Sequence, residues 1–455
     1  MTVKLTSFKA YDVRGRIPDE LNETLAYQIG QAYAAFVQPK RVCVGRDIRL
    51  TSAQLCTALV RGLTDSGVNV SDIGLCGTEG VYFATFAEGF DGGIMVTASH
   101  NPPDYNGMKF VREGSRPISA DSGLKDMAAM IEQGRLPPRA AVPGRATSLD
   151  IESRYIEHLL GYVDRAKLTK LKVVVNAGNG GAGLVVDQLE PHLPFEFIKI
   201  NHDVDGTFPN GVPNPMLEGN RQSSIDAIRL HRADVGLAWD GDFDRCFFFD
   251  EHGTFIEGYY LVGLLAEVFL RKEPGARIVH DPRLTWNTLD IVKRYGGKAV
   301  LSKSGHAFIK QKMREVDGAY GGEMSAHHYF RDFAYCDSGM IPWLLVLQTM
   351  CERGASLSTL VGERMKAFPA SGEINRALDP KSGSARGVLD RLEQLYAGSA
   401  QSVDYTDGLS VEFEQWRFNV RASNTEPLVR LNVESRGDEA LMQEKTAELL
   451  KLMEP

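Results

Sequence analysis

The hexapeptide Thr97-Ala98-Ser99-His100-Asn101-Pro102 places a serine where it can react. An apolar run, Gly93-Ile94-Met95-Val96, precedes it and the polar segment Pro103-Asp104-Tyr105-Asn106-Gly107 follows, so Ser99 is expected on an exposed turn leaving a buried strand. A serine displayed in that way can act as a covalent group carrier. Taken alone, a Ser-Asn-Pro turn whose hydroxyl only bonds nearby backbone is the favoured reading of the pattern. A second constellation is Asp240-Gly241-Asp242-Phe243-Asp244-Arg245, which follows the apolar stretch 235–239. Three carboxylates at i, i+2 and i+4 converge on one side of a tight turn, and hard oxygen ligands so arranged suit Mg²⁺. A helix-loop-helix calcium site is excluded: Arg245 stands at the sixth position, which needs glycine, and 246–249 reads as strand although Glu251 falls at the twelfth. A merely solvated acidic turn is disfavoured, since three aspartates between apolar strands repel one another unless a cation offsets them.

Two further loops carry weaker signals. Arg421-Ala422-Ser423-Asn424-Thr425-Glu426-Pro427, with Arg430 on the strand beyond, offers guanidinium, hydroxyl, amide and backbone donors that can surround a phosphate. In Gly321-Gly322-Glu323-Met324-Ser325-Ala326-His327-His328, Glu323 and Ser325 form an acceptor and hydroxyl pair able to hold adjacent sugar hydroxyls. An Asx/Ser turn and a glycine-bearing helix start are the plain structural readings of these two segments.

The elements that must position these loops follow from apolar periodicity. Strand-like runs alternate with helical segments through the first 360 or so residues, which predicts α/β layers with buried, mainly parallel strands. Runs at 42–47, 172–178 and 277–282 each end a strand in a polar turn, and each is followed by a second apolar run ending in a conspicuous loop: 97–102, 240–245 and 321–328. These read as a threefold structural repeat without sequence identity, with chance similarity among buried strands as the alternative. A Pro-rich connector at 137–144 precedes a helix predicted near 150–162, the turn Asp250-Glu251-His252-Gly253 closes a strand pair, and the character changes after Phe368-Pro369. The tail predicts strands at 409–413, 417–421 and 428–433 with helices near 384–396 and 440–453, a smaller α+β domain. The expected domains are therefore 1–146, 147–252, 253–368 and 369–455.

Composition bounds the class. Of 455 residues, 43% are hydrophobic and 24% charged, as in a folded globular protein. Six cysteines show neither a C-x-x-C pair nor zinc-like spacing, so reduced thiols and a cytoplasmic setting are expected. The N-terminus lacks a signal peptide's apolar region, and no apolar run approaches the ~20 residues of a membrane span. A net charge of −8 argues against broad nucleic-acid binding, leaving a small-molecule partner; a monomer is the favoured oligomeric state.

Taken in order, the loops T-A-S-H-N-P, D-G-D-F-D-R, G-E-M-S and R-x-S-N-T-E-P resemble those of the α-D-phosphohexomutase superfamily, in its bacterial phosphomannomutase/phosphoglucomutase branch. The resemblance spans the chain from Phe8-Lys9-Ala10-Tyr11-Asp12-Val13-Arg14-Gly15 to Arg430. It implies three similar α/β domains and a smaller C-terminal α+β domain around a central cleft. It also implies an isomerase that interconverts hexose 6-phosphate and hexose 1-phosphate, with mannose and also glucose as sugars. Ser99 would be the phosphoserine, and a hexose 1,6-bisphosphate the intermediate and activator. Mg²⁺ would be held by Asp240, Asp242, Asp244 and an oxygen of the Ser99 phosphate. Matching positions give Arg14, Lys109, Arg245, Lys303 and His306 as basic residues balancing phosphate charge, with Lys109 and His327 suited to proton transfer. Tyr11 borders the sugar; Glu323 and Ser325 bind its hydroxyls; Arg421, Ser423, Asn424, Thr425 and Arg430 grip the phosphate not being transferred. Ala326 departs from the glycine common in relatives after G-E-M-S, so a change of loop backbone or pocket width is expected there. Met324 speaks against the phosphoglucosamine-specific branch, where glutamine is usual. A non-catalytic sugar-phosphate-binding protein and a metal-dependent phosphatase are the readings from other classes; binding alone has no need of a phosphoryl carrier. The last domain, joined near 368–371, is expected to swing.

Overall fold

The computed structural model describes residues 5–378, 384–422 and 428–453. The chain divides into two compact units, residues 1–255 with 332–354 and residues 256–331 with 355–455.

In the first unit, the strand Arg41–Arg46 pairs in parallel with Asn69–Leu75 on one side and Gly92–Val96 on the other, and Gly92–Val96 then runs antiparallel to Tyr105–Arg112. Val42, Cys43, Val44, Ile94, Met95 and Val96 are fully buried, which is why these runs are continuous rather than alternating in hydrophobicity. Helix Ser52–Asp65 lays Leu55, Leu59 and Leu63 against the core at one-turn spacing, and helix Glu23–Val37 starts where the Asn22 side chain accepts from the Leu25 amide at 3.0 Å. The same plan recurs in the second sheet. Lys172–Asn176 lies between parallel Glu196–Ile200 and Val235–Trp239, and the latter turns back antiparallel as Cys246–Phe249.

The second unit holds the third copy. Arg277–His280 is flanked in parallel by Lys298–Leu301 and Tyr320–Gly322, with antiparallel His328–Phe330 beyond. The three similar α/β domains expected from sequence are thus present, and in each the conspicuous loop joins the third strand to its antiparallel neighbour. Such loops leave the carboxyl ends of parallel strands, where ligands of open α/β sheets bind. The C-terminal α+β domain is an antiparallel sheet in the order Ile374–Ala377, Leu428–Ser435, Trp416–Ala422, Leu409–Glu412, Ser402–Asp404, covered by helices Ala385–Tyr396 and Glu439–Leu452. Its first and last strands escape the periodicity argument because they are short and half-exposed. Ala146–Ser148 adds to the first sheet beside Asn69–Leu75, and helix Glu152–Leu160 begins the next domain.

A buried carboxylate ties elements together in each unit. Glu434 accepts from the Tyr259 hydroxyl, the Thr285 amide at 2.7 Å and Arg417 Nη1 at 2.7 Å, which fastens the C-terminal sheet to the third domain. In the first unit, Glu79 of helix Thr78–Ala87 accepts from the Tyr155 hydroxyl and from the amides of Gly339 and Met340 at 2.7 and 3.3 Å. Those amides open helix Ile341–Arg353, and a helix N-terminus favours an anion. Burial outweighs these donors and pushes the Glu79 carboxyl up to about 8 from its ordinary 4.5. Between those two values the folded chain binds more protons at Glu79 than the unfolded chain, so this group's contribution to stability falls as pH rises through that window. Denaturant titrations from about pH 5 to about pH 8 are expected to show Glu79→Gln with a flatter fall than wild type, the difference being at most about 1.4 kcal/mol per pH unit. Parallel profiles would contradict a raised Glu79.

Candidate active site

Ser99 takes its place through its backbone. Its φ is +48°, a left-handed conformation that costs a non-glycine residue about 1–2 kcal/mol. The amide donates to Thr97 Oγ1 at 2.9 Å, and the hydroxyl, buried with the rest of the residue, donates to Asp240 Oδ2 at 2.8 Å and lies 3.0 Å from His100 Nδ1. Gly241 lets the two loops approach this closely: a Cβ there would sit 2.3 Å from the Ser99 carbonyl oxygen.

Asp240, Asp242 and Asp244 are buried, and one oxygen from each lies within 4.8 Å of the others. Arg245 donates to Asp240 through Nε at 2.9 Å and Nη2 at 2.6 Å. Lys109 Nζ bridges Asp242 and Asp244, 2.6 Å from each, and the Thr78 hydroxyl reaches Asp242 at 2.5 Å. Burial and mutual repulsion work to raise these carboxyls; Arg245 and Lys109 overcome both and hold all three below the usual carboxylate range. Burial likewise opposes the Lys109 charge, and the same two aspartates overcome it, so the ammonium is held protonated. Asp242 Oδ1 is buried without a hydrogen-bond partner. Three carboxylates against two cations leave one net negative charge, and together with the orphaned oxygen this donor set fits a divalent cation. Arg14, on strand Val13–Arg16, is braced by Asp12 at 2.8 Å and donates to Asn101 Oδ1 at 2.5 Å. Tyr11 lies just before that strand, half-buried.

The second unit gathers the other predicted residues except Ser423, Asn424 and Thr425, which lie outside the described residues. Glu323 accepts from the Gly305 amide at 2.7 Å, Tyr329 Oη at 2.5 Å and Arg283 Nη2 at 3.3 Å, so it also anchors the loop of Lys303 and His306. Its carboxyl is raised, burial being the largest cause. Lys303 Nζ lies 5.7 Å over the Phe308 ring, and His306 opens helix His306–Val316. Ser325 Oγ accepts from Arg283 Nη2 at 3.2 Å and lies 3.3 Å from His327 Nδ1. His327 and His328, alike in sequence, differ here. His328 is fully buried against Tyr320 Oη at 2.7 Å, and burial lowers it to about 3, whereas His327 keeps 18% side-chain exposure, 3.7 Å from Glu323. Ala326 has φ +69°, a left-handed conformation that favours glycine, so the alanine is held there under local strain.

Arg421 and Arg430 face each other directly across the Trp416–Ala422 and Leu428–Ser435 pair, an arrangement that repels. Glu373 relieves it, meeting Arg421 at 2.8 Å, Arg430 at 3.6 Å and Arg283 at 3.3 Å; these cations lower its carboxyl to about 2 against the opposing effect of burial. Arg283 is also paired with Asp281 and Glu323, and Arg421 lies 3.9 Å from Asp407, so these guanidinium groups sit in a shared network of carboxylates. Sequence reasoning missed Glu373, Arg283, Thr78, Asp12 and Arg49. Arg49 and Arg283 had one available signal, an Asp-x-Arg triplet after the first strand of repeats one and three.

A triplicated α/β sheet with a serine loop set on a trio of aspartates defines the phosphohexomutase class of isomerases. A solved phosphoglucomutase/phosphomannomutase family protein from Burkholderia thailandensis superposes with a TM-score of 0.88 at 33% identity, covering 100% of this chain and 99% of that one. The chain belongs to the phosphoglucomutase/phosphomannomutase family, whose alpha/beta/alpha domains I, II and III match residues 5–135, 153–253 and 257–368 and whose C-terminal domain matches 373–451. It is 58% identical over 457 aligned positions to a phosphomannomutase of Escherichia coli, and 58% identical over 452 to a protein of Xanthomonas campestris named phosphohexose mutases, each covering 99% of both chains. No helix among the described residues is long and apolar enough to cross a membrane.

Gly241→Ala is expected to lower mutase turnover by about 100-fold, the scale of an ångström's misplacement at a reacting centre, while the thermal midpoint stays within a few degrees. Wild-type turnover would show that the two loops need not approach so closely.

Proposed function

We propose that this protein interconverts mannose 6-phosphate and mannose 1-phosphate, and the glucose pair, through a phosphoserine at Ser99 and a hexose 1,6-bisphosphate. The observation that carries the reading is the Ser99 hydroxyl, held in a strained turn against Asp240, the same carboxylate that Arg245 grips. Non-glycine residues held in a left-handed conformation cluster at working sites, where the surroundings over-determine them.

In the forward half, the free hydroxyl of the bound hexose phosphate attacks phosphorus. The bond to Ser99 Oγ breaks and a bond to the sugar oxygen forms. The hydroxyl's proton passes to His327, an imidazole beside Glu323, in preference to Lys109, whose ammonium is committed to two carboxylates. Arg14, Lys109, Arg245 and His306 steady the charge of the phosphoryl group in flight. The bisphosphate then turns end for end and its other phosphoryl group returns to Ser99. Arg421 and Arg430, with Ser423, Asn424 and Thr425, would hold the phosphate at rest, while Tyr11, Lys303, Glu323 and Ser325 orient the sugar. Asp240, Asp242 and Asp244, with a phosphoserine oxygen, would hold Mg²⁺, which when bound withdraws negative charge from the transferring group. We also place the four functional domains at 1–146, 147–252, 253–368 and 369–455, and the enzyme in the cytoplasm, as its six reduced cysteines favour.

A coupled assay of mannose, glucose and glucosamine 6-phosphates, with Mg²⁺ and a trace of the matching 1,6-bisphosphate, tests the reading. Mannose and glucose phosphates are expected to turn over, chelation of the metal to stop the reaction, and Ser99→Ala to lose at least ~10³-fold. Mass spectrometry should find about 80 Da added to the Ser99 peptide. Unchanged turnover of Ser99→Ala contradicts the phosphoserine, and conversion of glucosamine phosphate alone contradicts the choice of sugars.

A further inference from the structure

Arg49 is buried to 3% exposure, yet its guanidinium is not chiefly spent on a carboxylate, the Asp47 contact being 3.6 Å. All four terminal N–H groups point into the Ser99 loop. Nη2 donates to the carbonyls of Ser99 at 2.8 Å and Asn101 at 2.5 Å, and Nη1 to those of Pro102 at 2.7 Å and Tyr105 at 2.9 Å. The Phe208 ring closes the far side, its centroid 5.3 Å from the guanidinium carbon. Four carbonyl oxygens converging on one point repel one another, and a planar cation with four donors in a fixed fork is the side chain that can hold them together. One of the four belongs to Ser99, whose positive φ turns its hydroxyl to Asp240.

The third domain repeats the device. Asp47-Ile48-Arg49 follows strand Arg41–Arg46, and Asp281-Pro282-Arg283 follows strand Arg277–His280. Arg283 Nε donates to Asp281 at 2.7 Å while its Nη2 reaches Ser325 Oγ and Glu323 on the loop after the adjacent parallel strand. An arginine in the same place in the repeat therefore grips the functional loop in both domains, once through side chains and once through the main chain.

We infer that Arg49 is a positioning residue for Ser99: by clamping the Ser99, Asn101, Pro102 and Tyr105 carbonyls it holds the serine in its strained conformation and sets the direction of its oxygen for phosphoryl transfer. The inference rests on Ser99 being the phosphoryl carrier. Strained backbone at a working site persists only where its surroundings over-determine it. The Thr97 hydroxyl fixes the Ser99 amide and Arg49 fixes the Ser99 carbonyl. Arg49 itself touches neither the hydroxyl nor the aspartates' carboxylates at 240, 242 and 244.

The test compares wild type, Arg49→Lys, Arg49→Ala and Ser99→Ala for kcat, KM, thermal midpoint, and the rate of Ser99 phosphorylation by hexose 1,6-bisphosphate. Lysine keeps the charge and loses the fork, so kcat and the phosphorylation rate of Arg49→Lys should fall about 100-fold while KM stays within about threefold. Guanidinium ion at sub-denaturing concentration should restore at least tenfold of the activity lost by Arg49→Ala. Wild-type kcat in folded Arg49→Lys, or a loss that tracks the unfolded fraction and resists guanidinium, overturns the inference. So does failure of both Arg49 variants to fold. Activity retained by Ser99→Ala strikes at the phosphoserine itself, whereas an inactive Ser99→Ala beside an unimpaired Arg49→Lys strikes only at the positioning role.

Discussion

Three buried aspartates within 4.8 Å of one another are the constraint on which the first unit is arranged. Alone they would repel strongly at low dielectric, and protonation would be their natural escape. Lys109 and Arg245 prevent that escape and leave the cluster one charge short of neutral. Lys109 comes from the strand antiparallel to the one that feeds the Ser99 loop, while Arg245 ends the aspartate loop itself. Compensation of charge thereby brings two domains' loops together, and Gly241 removes the side chain that would keep them apart.

The second unit solves a related problem, like charges of the other sign set face to face. Arg421 and Arg430 stand opposite each other across two strands, Arg283 joins them, and Glu373 is shared by all three. Glu323, drawn into contact with Arg283, Gly305 and Tyr329, couples the 321–328 loop to the loop of Lys303 and His306. The C-terminal domain is fastened at Glu434, so any swing of this domain must work against a buried ion pair and amide bonds.

What sequence revealed was what local pattern encodes. Continuous apolar runs located the strands, polar interruptions located the loops, and the repeat predicted from three pairs of runs is visible as three sheets of one topology. The nearness of Ser99 to the three aspartates was not written in sequence, but each group could be singled out because a serine and three carboxylates stood in polar loops between apolar strands. Arg49 was not, because its partners are backbone carbonyls whose direction no side chain announces. Glu79 was hidden for another reason: its donors lie 76 and 260 residues away, and a glutamate in the first turn of a helix looks like ordinary dipole compensation. The two adjacent histidines at 327 and 328 could be told apart only by burial, which sets His328 against the Tyr320 hydroxyl in the core and leaves His327 beside Glu323 and Ser325.

The most direct test of the central claim follows a labelled phosphoryl group through one turnover. Enzyme labelled with radioactive phosphate on Ser99 would be mixed with a slight excess of unlabelled mannose 6-phosphate, and protein and sugars separated at intervals. The account predicts that label leaves the protein and appears first in mannose 1,6-bisphosphate and then in mannose monophosphate, while the protein remains phosphorylated with unlabelled phosphate. Label that stays on the protein through complete conversion, or that emerges as inorganic phosphate, would contradict it.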